Sequence, residues 1–170
     1  LVGSEMCIRD SNLSPSNRAT IGGMVNTDAC GKGSRIYGRT SDHVLELSCV
    51  LSNGETLESV PLDENNLSTY KQKPGVAGEV FKVVDQIVLE KADLIDEVFP
   101  NMSRFMTGYN LAKVYGNSEK NFNLNYLLSG SEGTLAVLSE IKLRLTDLPK
   151  YKRLLVVKYE QFDDALRDAQ

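Results

Sequence analysis

Ala19-Thr20-Ile21-Gly22-Gly23-Met24-Val25-Asn26-Thr27-Asp28-Ala29-Cys30-Gly31 and Gly130-Ser131-Glu132-Gly133-Thr134-Leu135-Ala136-Val137 are two glycine-centred stretches set far apart in a 170-residue chain. A glycine has no Cβ, so the main chain around it can approach a flat ring or a pyrophosphate closely. The interleaved Thr, Asn and Ser add short side chains that donate and accept hydrogen bonds. Both stretches therefore read as backbone that contacts a cofactor. The first lies inside Ser14 to Gly38, a region of Gly, Ser, Asn and Thr with few large apolar residues, which is loop chemistry. A loop of that length usually wraps a ligand.

Outward from these stretches the hydrophobic pattern supplies the scaffold. Val44 to Leu51 is rich in branched apolar residues and is separated by Asn53-Gly54 from Thr56 to Val60. That pattern predicts a strand pair joined by a tight turn with both turn residues at positive φ. Pro61 to Pro74 reads as a loop. Val76, Val80, Val83, Val84, Ile87 and Val88 then recur at helical spacing, with Glu79, Lys82, Asp85 and Glu90 between them, and predict an amphipathic helix over Gly75 to Lys91. A second short helix covers Ala92 to Val98 and stops before Pro100, because proline biases its predecessor away from helical geometry. Beyond the second glycine stretch, Ile141, Leu143 and Leu145 alternate with Lys142 and Arg144 as in a strand with one buried face. Leu154 to Tyr159 reads as another strand, and Gln161 to Ala169 as the start of a helix. The chain contains no internal repeat.

With 41% hydrophobic and 25% charged residues the composition is that of a folded domain or part of one. A net charge of -4 with scattered Lys and Arg argues against a nucleic-acid partner, since phosphate neutralisation needs clustered cations. Cys7, Cys30 and Cys49 stand far apart with one histidine, His43, so neither a metal site nor a disulfide framework is legible. A reducing, cytoplasmic compartment fits. No apolar run is long enough for a membrane span. Residues 1–13 open with LVGSEMCIRDS, which has no helical or strand period and resembles translated adapter sequence; they read as a non-native or disordered leader.

Gly31-Lys32-Gly33-Ser34 superficially suggests a phosphate loop. Such a loop needs Gly at position 26 and Ser or Thr at position 33, where this chain has Asn26 and Gly33. A dinucleotide fingerprint fails as well, because Ile36 stands where its third glycine belongs.

What the chain does resemble, over nearly all of Ser16 to Thr146, is the FAD-linked oxidase family of vanillyl-alcohol oxidase and p-cresol methylhydroxylase (PCMH). Four parts stand in order: Thr20-Ile21-Gly22-Gly23 with Asn26-Thr27 and Gly31; Tyr37-Gly38 followed by Asp42-His43-Val44-Leu45; Thr107-Gly108-Tyr109-Asn110-Leu111; and Gly130-Ser131-Glu132-Gly133-Thr134-Leu135 leading to Glu140-Ile141. Asp28-Ala29-Cys30-Gly31, Tyr37-Gly38-Arg39-Thr40 and Arg104-Phe105-Met106 place it nearest the D-2-hydroxyglutarate dehydrogenase branch, in particular its long bacterial members with an appended iron–sulfur region.

The resemblance implies an α+β fold: the second lobe of a PCMH-type FAD-binding domain over residues 14–148, a mixed or antiparallel sheet flanked by helices, followed by the start of a substrate cap domain over 149–170. It implies FAD as cofactor, with Thr20, Gly22 and Gly23 beside the flavin and Asn26, Thr27, Asp28, Ala29 and Cys30 following it towards the pyrophosphate. Glu132, Gly133 and Thr134 form the second contact region, with a helix from about Thr134 aimed at phosphate, and the Ile141 main chain lies near the adenine. Tyr109 and Asn110 are candidates for the pocket wall. His43, at the entry of a strand, reads as structural, and Cys30 as a small neighbour of the cofactor. The implied reaction is dehydrogenation of a D-2-hydroxy acid to the 2-oxo acid, with a separate electron acceptor. The catalytic base and the carboxylate-binding residues are not placed, and any iron–sulfur cysteines or metal-binding histidines lie outside this sequence. The chain thus reads as a fragment that has no activity alone and binds FAD weakly. Two alternatives stand beside this reading: a sister flavoenzyme acting on glycolate, lactate or another alcohol, and a non-enzymatic α+β binding module.

Overall fold

Val44–Val50 forms the central strand, β1, of a three-stranded antiparallel sheet in a computed structural model that describes residues 19–31, 33–100, 102, 108–115, 121–147, 151, 153 and 155–169. Branched residues favour this extended, half-buried role, and the alternate residues Leu47 and Cys49 point into the core. β2, Thr56–Ser59, pairs on one side with Leu47 opposite Ser59. β3, Val137–Leu143, pairs on the other with Leu47 opposite Ile141. The proposed leader at 1–13, Lys32, Thr107 and the Arg104 to Met106 run lie outside the described residues, as does Leu154.

The hairpin differs in its turn from the expectation. Gly54 has φ 86°, but Asn53 does not enter the left-handed region. The Leu51 carbonyl accepts from the Gly54 N–H at 2.9 Å, and Leu51 N–H donates to the Glu55 carbonyl at 2.9 Å. The loop therefore holds three residues, with glycine alone in the left-handed position. Asn53 instead uses its side chain, whose Oδ1 accepts from the Glu55 N–H at 3.0 Å.

Four short helices stand where loops were expected or unassigned: α1, Ile21–Asn26; α2, Ser34–Tyr37; α3, Thr40–His43; and α4, Glu64–Lys71. Capping makes α1 and α4. Thr20 Oγ1 accepts from the Gly23 N–H, and Asp63 Oδ1 from the Asn66 N–H, each satisfying an otherwise orphaned donor. The apolar periodicity is accurate further on. α5 spans Gly75–Glu90 and α6 spans Ala92–Val98, ending before Pro100. α7, Asn125–Leu128, precedes the second glycine stretch, and α8, Phe162–Asp168, lies near the C-terminal end. The described residues 155–159 form no strand, and the described residues of 151–169 bury no side chain. No partner strand neighbours them in the sheet, and unpaired backbone has no reason to stay extended.

The core joins these elements in one cluster. Phe81 of α5 packs against Tyr70 and Phe122, with ring centroids 5.1 and 6.0 Å apart, and Leu47, Leu57, Val114 and Leu124 close around them. Two polar anchors serve the same end. Buried Asn125 donates to the Leu45 carbonyl at 3.0 Å and accepts from Ser59 Oγ at 2.6 Å, fixing α7 to both β1 and β2. Asp85, buried on α5, is bonded by Lys71 and by the Tyr115 hydroxyl. Burial of Cys49, with Glu58 nearby, pushes its thiol up to about 11, so it stays protonated and inert.

Candidate functional site

α1 carries the first glycine stretch, and its C-terminal end is where the second stretch docks. The Val25 carbonyl accepts from the Gly130 N–H at 2.9 Å, and the Asn26 carbonyl accepts from the Glu132 N–H at 2.9 Å. Those carbonyls belong to the last turn of α1; Val25 also accepts the Asp28 N–H at 3.0 Å, and the second stretch adds its own bonds at this helix end. The two remote stretches thereby share one cleft of about 290 Å³. Thr27, Asp28 and Arg39 line it together with Gly108, Tyr109, Gly130, Ser131, Glu132 and Thr134.

The walls are backbone turns in the left-handed region. Asp28 has φ 43°, Gly108 69°, Gly130 83°, Glu132 52° and Gly133 76°. No helix starts near Thr134: residues 130–136 are successive turns that run directly into β3. The expected helix N-terminus is therefore absent, because the chain spends these residues reversing direction. A Cβ added at Gly108 or Gly133 would meet nothing within 4 Å, so both present bare main chain to open space. At Gly130 a Cβ would stand 3.2 Å from Asp28 Cβ, so glycine is needed there for close approach as well as for φ.

Thr134 Oγ1 donates to the Ser131 carbonyl at 2.6 Å, which leaves it to accept from the Tyr109 hydroxyl at 2.8 Å. Asp28 accepts the Ser41 N–H on Oδ1 at 2.9 Å and pairs through Oδ2 with Arg39 Nε at 2.8 Å. The Ala29 carbonyl accepts from both the Thr40 N–H and Thr40 Oγ1, at 3.1 and 2.6 Å, tying the floor of the cleft to α3. Behind this, Asp42 takes the Arg39 N–H and Lys113 Nζ, each at 2.8 Å. Partial burial alone would raise the Asp42 carboxyl, but the Arg39 N–H, Lys113 and the His43 ring together hold it below its ordinary value. Burial, reinforced by the carboxylates of Asp42 and Asp28, raises the Tyr126 phenol and keeps it neutral.

Of the expected contact residues, Thr27, Asp28, Glu132 and Thr134 line the cleft. Gly133 lines an adjoining hollow of about 430 Å³ that shares Thr134 with it. Thr20, Gly22, Gly23 and Asn26 build α1, while Ala29 and Cys30 follow the turn and stand behind the wall. Ile141 is not a wall residue: it sits in β3 opposite Leu47. Tyr109 lines the cleft, and Asn110 is buried beside it. His43 Nε2 donates to the Tyr37 carbonyl at 2.7 Å, a structural use. Arg39 and Gly108 stand inside the quoted motifs without a contact role there, and the structure places both in the wall. No local pattern signals the role of Arg39, since it depends on a fold-back onto Asp28.

The chemistry of the walls suits a polar but largely uncharged ligand surface. Main chain, the hydroxyls of Thr27, Tyr109, Ser131 and Thr134 and bare glycine faces offer hydrogen bonds and close stacking, and the one cation among the described wall residues is engaged by Asp28. Buried Asn26 Oδ1, Asn110 Oδ1, Ser41 Oγ and Ser129 Oγ have no partner among the described residues, a common mark of a region completed by a ligand or water. Among the described residues no group of His, Cys, Asp and Glu is arranged to hold a metal.

Comparison with known proteins gives the same direction. A family model described as an FAD binding domain matches residues 11–59. The chain is 49% identical to a D-2-hydroxyglutarate dehydrogenase of Pseudomonas putida, over 92% of this chain and 16% of that protein. It is 46% identical to a D-2-hydroxyglutarate dehydrogenase of Escherichia coli, over 92% of this chain and 15% of that protein. A glycolate oxidase subunit GlcD of Bacillus subtilis is 26% identical over 86% of this chain and 20% of its own length. The chain thus spans about a sixth of the length of its more similar relatives. No solved structure matches it.

Proposed function

We propose, from the premise that this chain belongs to the FAD-linked oxidase family, that it supplies part of the FAD-binding domain of an enzyme that dehydrogenates a D-2-hydroxy acid of the 2-hydroxyglutarate type. One observation carries the reading: the two glycine stretches are hydrogen-bonded to each other across a single cleft walled by main chain. Thr20, Gly22, Gly23, Asn26, Thr27, Asp28, Ala29 and Cys30 belong to one side of that binding surface, and Glu132, Gly133 and Thr134 to the other. Ile141 contributes main chain further along the cofactor. In this reading the domain covers residues 14–148, and 149–170 open a substrate cap, which accords with the absence of buried side chains among the described residues of 151–169.

When bound, FAD supplies at N5 the hydride acceptor that the substrate Cα requires on becoming a 2-oxo acid. This chain's residues orient and shield. Thr27, Tyr109 and Thr134 offer hydroxyls, and Gly108 and Gly133 let a ring lie against the backbone. The electron acceptor is a separate partner in this reading. Among the described residues no helix is long and apolar enough to cross a membrane, and Cys30 and Cys49 are unpaired, as a reducing cytoplasm keeps them.

Identity of 46–49% to the D-2-hydroxyglutarate dehydrogenases against 25–26% to the lactate and glycolate enzymes favours the first substrate class. The test is dye reduction by the full-length protein containing this segment, with D-2-hydroxyglutarate, its L enantiomer, D-lactate and glycolate. D-2-hydroxyglutarate should give the highest kcat/KM; preference for glycolate or D-lactate overturns the assignment. The chain alone should bind FAD weakly and reduce no dye. Failure of the full-length protein to quench flavin fluorescence on titration would leave only a binding module.

A further inference from the structure

We propose that Arg39 is a positioning residue for the cofactor cleft: through the Asp28 carboxylate it locks the left-handed turn that holds the two glycine stretches together. The proposal rests on the cleft being the FAD site, and its test separates the two claims. Asp28 and Arg39 are 5% and 7% exposed, so the pair is withdrawn from water, and its Nε to Oδ2 distance is 2.8 Å. Asp28 has φ 43°, an uncommon conformation for a non-glycine residue that its carboxylate contacts help to hold.

Arg39 and the Ser41 N–H supply that support, one on each carboxylate oxygen. Arg39 is itself fixed, since its N–H donates to Asp42 Oδ2 at 2.8 Å. The turn they hold is the one that matters for the cleft. Asp28 N–H donates to the Val25 carbonyl at 3.0 Å, the same oxygen that accepts the Gly130 N–H. Asp28 Cβ is also the atom against which Gly130 is packed. Removing the guanidinium leaves a buried, uncompensated carboxylate on the cleft wall, which the turn relieves by opening towards water. An opened turn carries the Val25 and Asn26 carbonyls away from Gly130 and Glu132.

The experiment uses the full chain with Arg39→Met, Arg39→Lys, Asp28→Asn and the double variant Asp28→Asn/Arg39→Met. Amide hydrogen exchange is read at Gly130 and Glu132, with the β1 amides as internal reference, and FAD is titrated by flavin fluorescence with the visible band recorded. Arg39→Met should speed exchange at Gly130 and Glu132 by about tenfold or more while β1 amides stay within about twofold, and weaken FAD binding by about tenfold. The double variant should recover most of both losses, because asparagine accepts the left-handed turn without the charge. Arg39→Lys should fall between, keeping the charge without the planar fork. Unchanged exchange at the two amides, equal loss at the β1 amides, or a double variant no better than Arg39→Met overturns the proposal. If the unaltered chain binds no FAD, the exchange measurements still decide the clamp, and the failure belongs to the cofactor reading.

Discussion

Two hollows of similar size, about 290 and 310 Å³, lie on this fold and are built in opposite ways. The cleft is walled by turns, hydroxyls and one buried ion pair. The other is a groove in which Val76, Val80 and Val83 of α5 face Leu51, Leu57, Leu124 and Leu128. The groove takes its shape from side-chain volume, and neighbouring apolar residues can repack around a change. The cleft takes its shape from dihedral angles and from a few hydrogen bonds between remote segments, which have no graded adjustment. Substitutions should therefore separate the two: core changes near the groove cost stability broadly, while changes at the cleft cost less stability but more binding.

The largest effect tests the groove side. Phe81→Ala removes a ring buried against Tyr70 and Phe122 and should destabilise the chain by about 3–5 kcal/mol in urea unfolding. A loss below about 1 kcal/mol would mean that α5 does not anchor the core. Next comes the cleft. Gly130→Ala forces a Cβ into the left-handed region and against Asp28, and should cost about 1–2 kcal/mol together with a large loss of FAD affinity. Gly133→Ala shares the φ penalty but meets open space, so the difference between the two variants isolates the contact with Asp28. Equal stabilities and equal FAD affinities would deny that the stretches are clamped at Gly130. Smaller again, Thr20→Ala removes the cap of a six-residue helix and should cost about 1 kcal/mol by thermal unfolding.

The same division explains what was legible in the sequence. α5 and α6 could be read almost to the residue, because their apolar spacing repeats over enough turns to exceed local noise. The hairpin could be placed, but its turn type could not: Asn53 has a choice between a left-handed backbone and a side-chain bond to Glu55, and only the folded strands decide. α1 and α4 were read as loop because they stand on single capping bonds, with Leu67 the one buried residue of α4. The glycine stretches announced a contact surface, yet the non-glycine left-handed residues Asp28 and Glu132 and the fold-back of Arg39 carry no local pattern. Thr134 was expected to open a helix, and the chain instead turns there into β3, since the edge of β1 offers a strand partner that propensity alone does not include.

The smallest effect concerns the support behind the cleft and depends on pH. The Asp42 carboxyl lies below its ordinary value in the folded chain because the bonds from the Arg39 N–H and Lys113 outweigh its partial burial. A depressed folded value means that the unfolded state binds the proton first as acid is added. The stabilisation is therefore complete above the ordinary value of 3.8 and is lost as pH falls through the lower folded value. Lys113 is partly exposed, so its contribution is screened, and Lys113→Met should cost about 0.2–1 kcal/mol at neutral pH and less in high salt. In the variant, urea midpoints measured from pH 7 down to pH 3 should fall less steeply at the acid end than in the unaltered chain, because Asp42 then sits closer to its unfolded value. An identical slope would mean that the Arg39 N–H and the His43 ring set Asp42 without the lysine.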